Sequence, residues 1–490
     1  MSSIRHEMIR STMWSAVQHY SGIVMSMVIS MILARLLSPK EYGVVAIATV
    51  FIAFLGMFSS LGIGPAVIQR KNLTDHDLNV IFTFSLITGG TLALIFFCAS
   101  WPIARFYENE QLVPVCQILS INLFFGGANM VPNALMSKDL RFKTLAIRAL
   151  TLQLTTGVVA IVAAFNGAGV YSLLIGPVIS SVVIYFWNRH YYKLSVVRRF
   201  DIEPIKKIFG FSSYQFLFDF VNYFSRNLDK MIIGKFMTLD ALGIYEKSYR
   251  LMQLPMNNVT GIINGALLPV LKDLQDDKAD LSRKYAKIIR FISTISFPAG
   301  IILWGMGGEV IHFFYGAKWD AAIPVFGILA LSLPLQMILS TSGAIFMICD
   351  NTRMNFWLGI RNTVTTVTGF LIAAIYFKTI EAMAWAWTIT LVINFAFSYY
   401  LMYRYVLRVS ITPMLKELVF PLFAGVAAGL LLIGLNALNI QVGLIASILI
   451  KGGSSVGLVV IMVQLSGRYD IIGMIKEKYL TIKHRFHVKE

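Results

Sequence analysis

Apolar runs of spanning length follow one another along most of the chain, separated by short polar turns. At roughly twenty residues per crossing, they predict fourteen membrane helices. Their approximate spans are 12–36, 42–66, 79–102, 111–135, 146–166, 169–190, 210–234, 242–268, 288–315, 321–348, 356–377, 383–405, 415–436 and 441–465. Two runs break the pattern. The seventh contains FDFVNYFSRNLDKMIIGKF (218–236), with Asp219, Arg226, Asp229 and Lys230 inside an otherwise apolar stretch. At about 100° per residue, Asp219, Asn222, Tyr223, Arg226 and Lys230 fall on one arc, and Asp229 lies near its edge. The eighth places Glu246, Arg250, Gln253, Asn257 and Asn264 at spacings of 4, 3, 4 and 7, one polar stripe on a greasy helix. A charge at mid-bilayer costs about 2.5–3.5 kcal/mol even on the lenient insertion scale. Two such stripes predict a shared water-filled cavity, and the function is expected there.

Composition sharpens this picture. The 490 residues are 57% hydrophobic and 14% charged, where soluble chains carry about 25% charged residues; an all-α polytopic membrane protein follows. The excess of Lys and Arg (42 against 25 acids) raises nucleic-acid binding, but the cations sit in short loops, which is a topology signal. With the N-terminus inside, 31 of them fall on the cytoplasmic side and 6 outside. The other five, Arg226, Lys230, Lys247, Arg250 and Lys451, lie within helices. Both termini are therefore expected in the cytoplasm. Cys98, Cys116 and Cys349 stand singly in apolar runs, with no disulfide framework or metal spacing. A long apolar run without a small-residue cleavage site predicts a retained first helix.

The chain also repeats itself. ARLLSPKEYG (34–43) falls on GKFMTLDALG (234–243), pairing Gly43 with Gly243. ARFYENEQLVPV (104–115) is similar to HFFYGAKWDAAIPV (312–325), MSKDLRF (136–142) to MICDNTRM (347–354), and LAIR (145–148) to LGIR (358–361). The offset drifts only from 200 to 213, so helices 1–6 and 7–12 read as two copies in the same orientation. The expected division is an N-lobe (1–190), a basic cytoplasmic linker (191–209), a C-lobe (210–405), helices 13 and 14 (406–465) and a basic cytoplasmic tail (466–490) that lies on the anionic inner leaflet. The N-lobe keeps only Gln18, His19 and some serines where the C-lobe is charged, so a cavity between lobes has one charged wall.

No P-loop, G-x-G-x-x-G, H-E-x-x-H or paired C-x-x-C occurs. No enzymatic activity or cofactor is expected, and elimination leaves a secondary transporter driven by an ion gradient, Na⁺ or H⁺, or by its own substrate's gradient. Arginine's planar fork suits phosphate oxygens. Arg226 and Arg250, then Lys230, are the candidates for an anion-binding site. Asp219 and Glu246 are the cation-coupling candidates, and Gln253, Asn257 and His19 complete the polar lining. Asp229 reads as a structural ion pair, and a purely structural role for the whole charged set stays open. His19 is open between an interior hydrogen-bonded histidine and a proton relay. Lys451 is expected to snorkel, meet a headgroup or pair across helices, with a mild effect on removal.

ARLLSPKEYGVVAIATVF, LGIGPAVIQRKNLTDHDL and RNLDKMIIGKF…LGIYEKSYRLMQLP resemble the polysaccharide-transporter branch of the multidrug/oligosaccharidyl-lipid/polysaccharide exporter superfamily, the Wzx-like flippases of colanic- and teichuronic-acid type. The resemblance covers essentially residues 10–465. It implies two pseudo-symmetric six-helix lobes in a V shape in the bacterial inner membrane. It implies flipping of undecaprenyl-pyrophosphate-linked oligosaccharide from the cytoplasmic to the periplasmic leaflet by alternating access, for capsule, exopolysaccharide or O-antigen synthesis. Membrane lipids, a glycan polymerase and chain-length proteins are then the expected partners of a monomer that binds no nucleic acid. By motif it points to Arg226, Asp229 and Arg250. A small-molecule or drug antiporter of the same superfamily is the alternative reading, and a membrane glycan polymerase a third.

Overall fold

The structure, a computed structural model, describes residues 2–60, 63–70, 72–197, 201, 203–209, 223, 227–438 and 442–469. Among these residues every regular element is helical. Helices α1 (Ser2–Leu36), α2 (Pro39–Ser60), α3 (Ile63–Gln69), α4 (Asp75–Phe106), α5 (Leu112–Lys138), α6 (Phe142–Phe165), α7 (Ser172–Tyr191) and α8 (Glu203–Phe209) are followed by α9 over 227–236. Then come α10 (Leu239–Leu271), α11 (Lys278–Gly305), α12 (Gly307–Phe314), α13 (Ala322–Ile348), α14 (Thr352–Ile372), α15 (Ile380–Leu401), α16 (Thr412–Ala437) and α17 (Leu444–Leu465).

Among the described residues, twelve helical stretches are long and apolar enough to cross a membrane. The expected count was fourteen, and the differences have causes. The seventh expected span lies mostly outside the described residues. The eighth forms as one unbroken 33-residue helix, α10, but its polar stripe keeps it out of the twelve. The expected run 288–315 is two helices. Gly305, Gly307 and Gly308 flank Met306, where α11 stops and α12 begins; three glycines in four residues are poor helix formers. At its other end α11 starts ten residues earlier than hydropathy suggests, because the Asp277 side chain accepts the Asp280 N–H at 2.9 Å and caps a charged first turn.

Two compact units divide the chain between Glu246 and Lys247. In the first, α4 packs along α5, and α5 also meets α2, α3 and α7. A Cβ on Gly127 would stand 2.6 Å from the Ser85 carbonyl oxygen, so the α4–α5 crossing needs glycine there. The segment after α7 is tied to α4: the Ser195 and Val197 N–H groups donate to Asn79 Oδ1 (2.8 Å) and Thr83 Oγ1 (2.9 Å). In the second unit α13 is the buried axis, flanked by α11 and α15. Its polar knot is closed: Tyr285 and Tyr399 share a hydroxyl bond at 2.7 Å, Tyr285 reaches Thr341 at 2.8 Å, and Tyr399 donates to the Ile338 carbonyl.

The sequence repeat has geometric counterparts. Tyr107 and Tyr315 both terminate a helix, and the next residues, Glu108 and Gly316, have φ of 55° and 86°. After α5 and α13 the left-handed residues are Leu140 (54°) and Asp350 (51°), one residue out of step with the match of MSKDLRF to MICDNTRM, which sets Asp139 on Asp350. At the start of α2 and of α10 the match becomes a reciprocal contact. Gly43 lies against the Leu239 carbonyl and Gly243 against the Pro39 carbonyl, each so close that a Cβ would overlap the oxygen.

Candidate functional site

The polar stripe of α10 and the short helix α9 hold the residues that sequence singled out. Lys230 Nζ pairs with Glu246 Oε2 at 2.8 Å; the two side chains are 16% and 24% exposed, a half-desolvated pair. Asp229, buried, accepts the Lys230 main-chain N–H at 2.8 Å. One turn further along α10, Arg250 is exposed, and it makes no ion pair with any described residue. Gln253 is half-buried and Asn257 exposed on the same helix. Asp219 and Arg226 lie outside the described residues. Tyr223, expected on the polar arc, instead donates its hydroxyl to the Val50 carbonyl and packs against Phe54. His19 is exposed on α1, edge-on to Tyr20 at 5.4 Å.

Two lysines near the stripe are held by other means. Lys235 donates to the Phe106 carbonyl at 2.7 Å and meets Glu108 at 3.3 Å, capping the last turn of α4 with a cation. Lys247 is buried over the Tyr315 ring, 5.2 Å from its centroid. Lys230 is paired with Glu246, and among the described residues of the stripe Arg250 is the charge without an ionic partner. An exposed guanidinium offers five donors in a fixed plane and accepts nothing, so the chemistry it presents is anion recognition.

Sequence reasoning missed one buried cation. Arg148 was counted with the basic loop before α6, but it is 6% exposed inside the first unit. It donates to Asn188 Oδ1 on α7 and to Asn133 Oδ1 on α5 at 2.9 Å. Asn188 in turn donates to Asn129 and Asn133, both at 3.1 Å. The partners are neutral amides, so this is a three-helix clasp and not an ion pair. Its counterpart by the repeat, Arg361, reaches Asn362 (3.1 Å) and Asn394 (3.3 Å) and lies 3.9 Å over the Phe397 ring. The LAIR/LGIR match was the available signal. Removing the cation strands the amides, and a buried unsatisfied group costs about 1–3 kcal/mol. Arg148→Ala is therefore expected to lower the melting temperature of the purified protein by several degrees, and Arg148→Met by clearly less, because its stem refills the space. Equal melting of both variants with the parent would refute the clasp.

Lys451 is paired across helices. On α17 it meets Glu309 of α12, which also accepts from Ser447 at 3.2 Å. The mild effect expected of a snorkelling lysine changes accordingly. Lys451→Ala leaves a partly buried carboxylate without its cation and destabilises, while Lys451→Ala with Glu309→Ala recovers much of the loss. A double-mutant cycle on thermal unfolding should give a coupling of about 1–3 kcal/mol; strict additivity would contradict the pairing.

Comparison with known proteins decides the family. The model for "Polysaccharide biosynthesis protein" matches residues 32–324. The chain belongs to that family. Within it, the chain is similar to the teichuronic acid biosynthesis protein TuaB of Bacillus subtilis (strain 168), 25% identical over 440 residues, 89% of this chain and 90% of that one. The lipopolysaccharide biosynthesis protein WzxC of Escherichia coli (strain K12) is 23% identical over 431 residues, 86% of each chain. Among solved structures, the lipid II flippase MurJ in an inward closed conformation matches with a TM-score of 0.72 at 17% identity, over 94% of this chain and 100% of that one. A multidrug resistance MATE transporter matches at 0.61 and 16% identity, over 80% and 95%. The fold is the one shared by these transporters, and this member of the polysaccharide biosynthesis family is a multi-pass membrane protein.

Proposed function

We propose that the protein flips a lipid-linked oligosaccharide, carried on undecaprenyl diphosphate, from the cytoplasmic to the periplasmic leaflet of the inner membrane, and catalyses no chemical step. Arg250 carries this reading: an exposed guanidinium, unpaired among the described residues, on a helix otherwise apolar enough to sit at membrane depth. A cation-exporting antiporter needs an excess of acid in that place, and here the stripe's Glu246 is already neutralised by Lys230. Arg250, with Arg226 and Lys230, meets the diphosphate. Gln253 and Asn257 face the sugars, the acyl tail stays in lipid, and Asp219 or Glu246 takes part in Na⁺ or H⁺ coupling. Two six-helix copies alternate the access of the polar chamber. The loop charge asymmetry, 31 cations against 6, supports cytoplasmic termini.

The test is a reconstituted flipping assay. Protein in liposomes loaded on one leaflet with a fluorescent lipid-linked oligosaccharide is expected to expose it on the other, and an imposed Na⁺ or H⁺ gradient separates coupled from uncoupled transport. Absence of flipping together with export of a fluorescent organic cation would replace the proposal with the antiporter reading.

A further inference from the structure

Helix α15, like α14 before it, ends in a π-helical turn followed by a left-handed residue, and at α15 that end carries arginines. Beyond Leu401 the chain widens into a π-helical turn, Met402–Leu407, and stops on Arg408 in the left-handed region at φ 55°. π-turns are rare and concentrate at functional positions. This one turns Met402, Tyr403, Val406 and Leu407 into the core and leaves Arg404, Tyr405 and Arg408 exposed. Tyr400, Arg404, Tyr405, Arg408 and Ser410 line a cavity of about 760 Å³ at this end of the helix, and among the described residues its lining contains no carboxylate. Neither guanidinium has an ion-pair or hydrogen-bond partner among the described residues. Other cations of the same unit are treated differently: Arg290 and Arg468 both reach Glu417, at 3.4 and 3.5 Å. Positive-inside topology asks only for cations near the surface. It does not ask for two guanidiniums four residues apart in a concavity whose described lining holds no acid.

We propose that this cavity binds the phosphate of an anionic phospholipid headgroup. Arg404 and Arg408 supply the two forks for its oxygens, and Tyr400 and Tyr405 flank it with rings suited to the headgroup level. Basic pockets at the ends of membrane helices take such headgroups. That the leaflet is the inner one rests on the orientation proposed above, whereas the ligand chemistry does not. The proposal is also independent of the α10 stripe.

The experiment titrates the purified full-length protein in detergent with short-chain phosphatidylglycerol, short-chain phosphatidylcholine and inorganic phosphate. Binding of phosphatidylglycerol is expected to be about 30-fold weaker in Arg404→Gln/Arg408→Gln, with phosphatidylcholine binding unchanged. Equal phosphatidylglycerol affinity in the double variant overturns the proposal. So does inorganic phosphate that binds the parent as tightly as the lipid and is lost in the variant, because the ligand is then free phosphate. If the double variant does not fold, the parent is crosslinked with a phosphatidylglycerol carrying a photoreactive headgroup. Adducts within 400–411 support the site, and adducts only elsewhere overturn it.

Discussion

Replacing Arg250 with alanine is expected to abolish the proposed glycan export and to leave the amount of protein in the membrane unchanged. Exposed and without an ionic partner among the described residues, Arg250 holds no neighbour whose loss would unfold the chain. On the proposed function, the substitution removes a charge-assisted contact to substrate, worth about 1.5–3 kcal/mol, or roughly 10- to 150-fold in affinity. Arg250→Lys keeps the charge and loses the planar fork, so intermediate export is expected. Lys230→Ala should differ in kind. Its partner Glu246 sits 2.8 Å away and half-buried, so that variant loses stability as well as transport, and Lys230→Ala/Glu246→Ala restores the stability alone. Surface glycan in a complemented deletion strain, read beside membrane protein level, separates these outcomes. Full complementation by Arg250→Ala would remove Arg250 from the site.

Gly243→Ala and Gly43→Ala are each expected to lower the melting temperature far more than a glycine substitution elsewhere in the same helices. A Cβ at either position would overlap a main-chain carbonyl, of Pro39 or of Leu239, and backbone at two helix starts cannot rotate aside as a side chain does. Overpacking of this kind costs about 1–3 kcal/mol, occasionally more. The matched control is Gly261→Ala on α10, where a Cβ would meet nothing within 4 Å. There helix propensity favours alanine by about 1 kcal/mol, so the control should melt at or above the parent temperature. Thermal stability of the detergent-solubilised protein decides it, and a Gly243→Ala variant that melts with the parent would refute the close contact.

Much of this was legible in advance, and the reasons are local. Spanning runs follow from the absence of water in a bilayer core, which forces helices of set length. The repeat was visible because the two copies keep their turn residues: Tyr107 and Tyr315 end helices in both, with a left-handed residue next. The stripe on α10 was visible because 3.6-residue periodicity fixes a helix face whatever that face meets. Two helices hidden in one apolar run, α11 and α12, were less visible, since hydropathy averages over the glycines that part them.

By itself, then, the sequence determined an all-helical, multi-pass membrane chain with an internal repeat and a helix face carrying Glu246, Arg250, Gln253 and Asn257. Only the tertiary structure decided which of those charges is spoken for. Lys230 meets a glutamate sixteen residues away, Lys451 one 142 residues away, and Arg148 the amides of two other helices. Periodicity specifies the direction a side chain leaves its own helix, but the Coulomb energy that fixes its partner depends on distance in space, which packing alone sets.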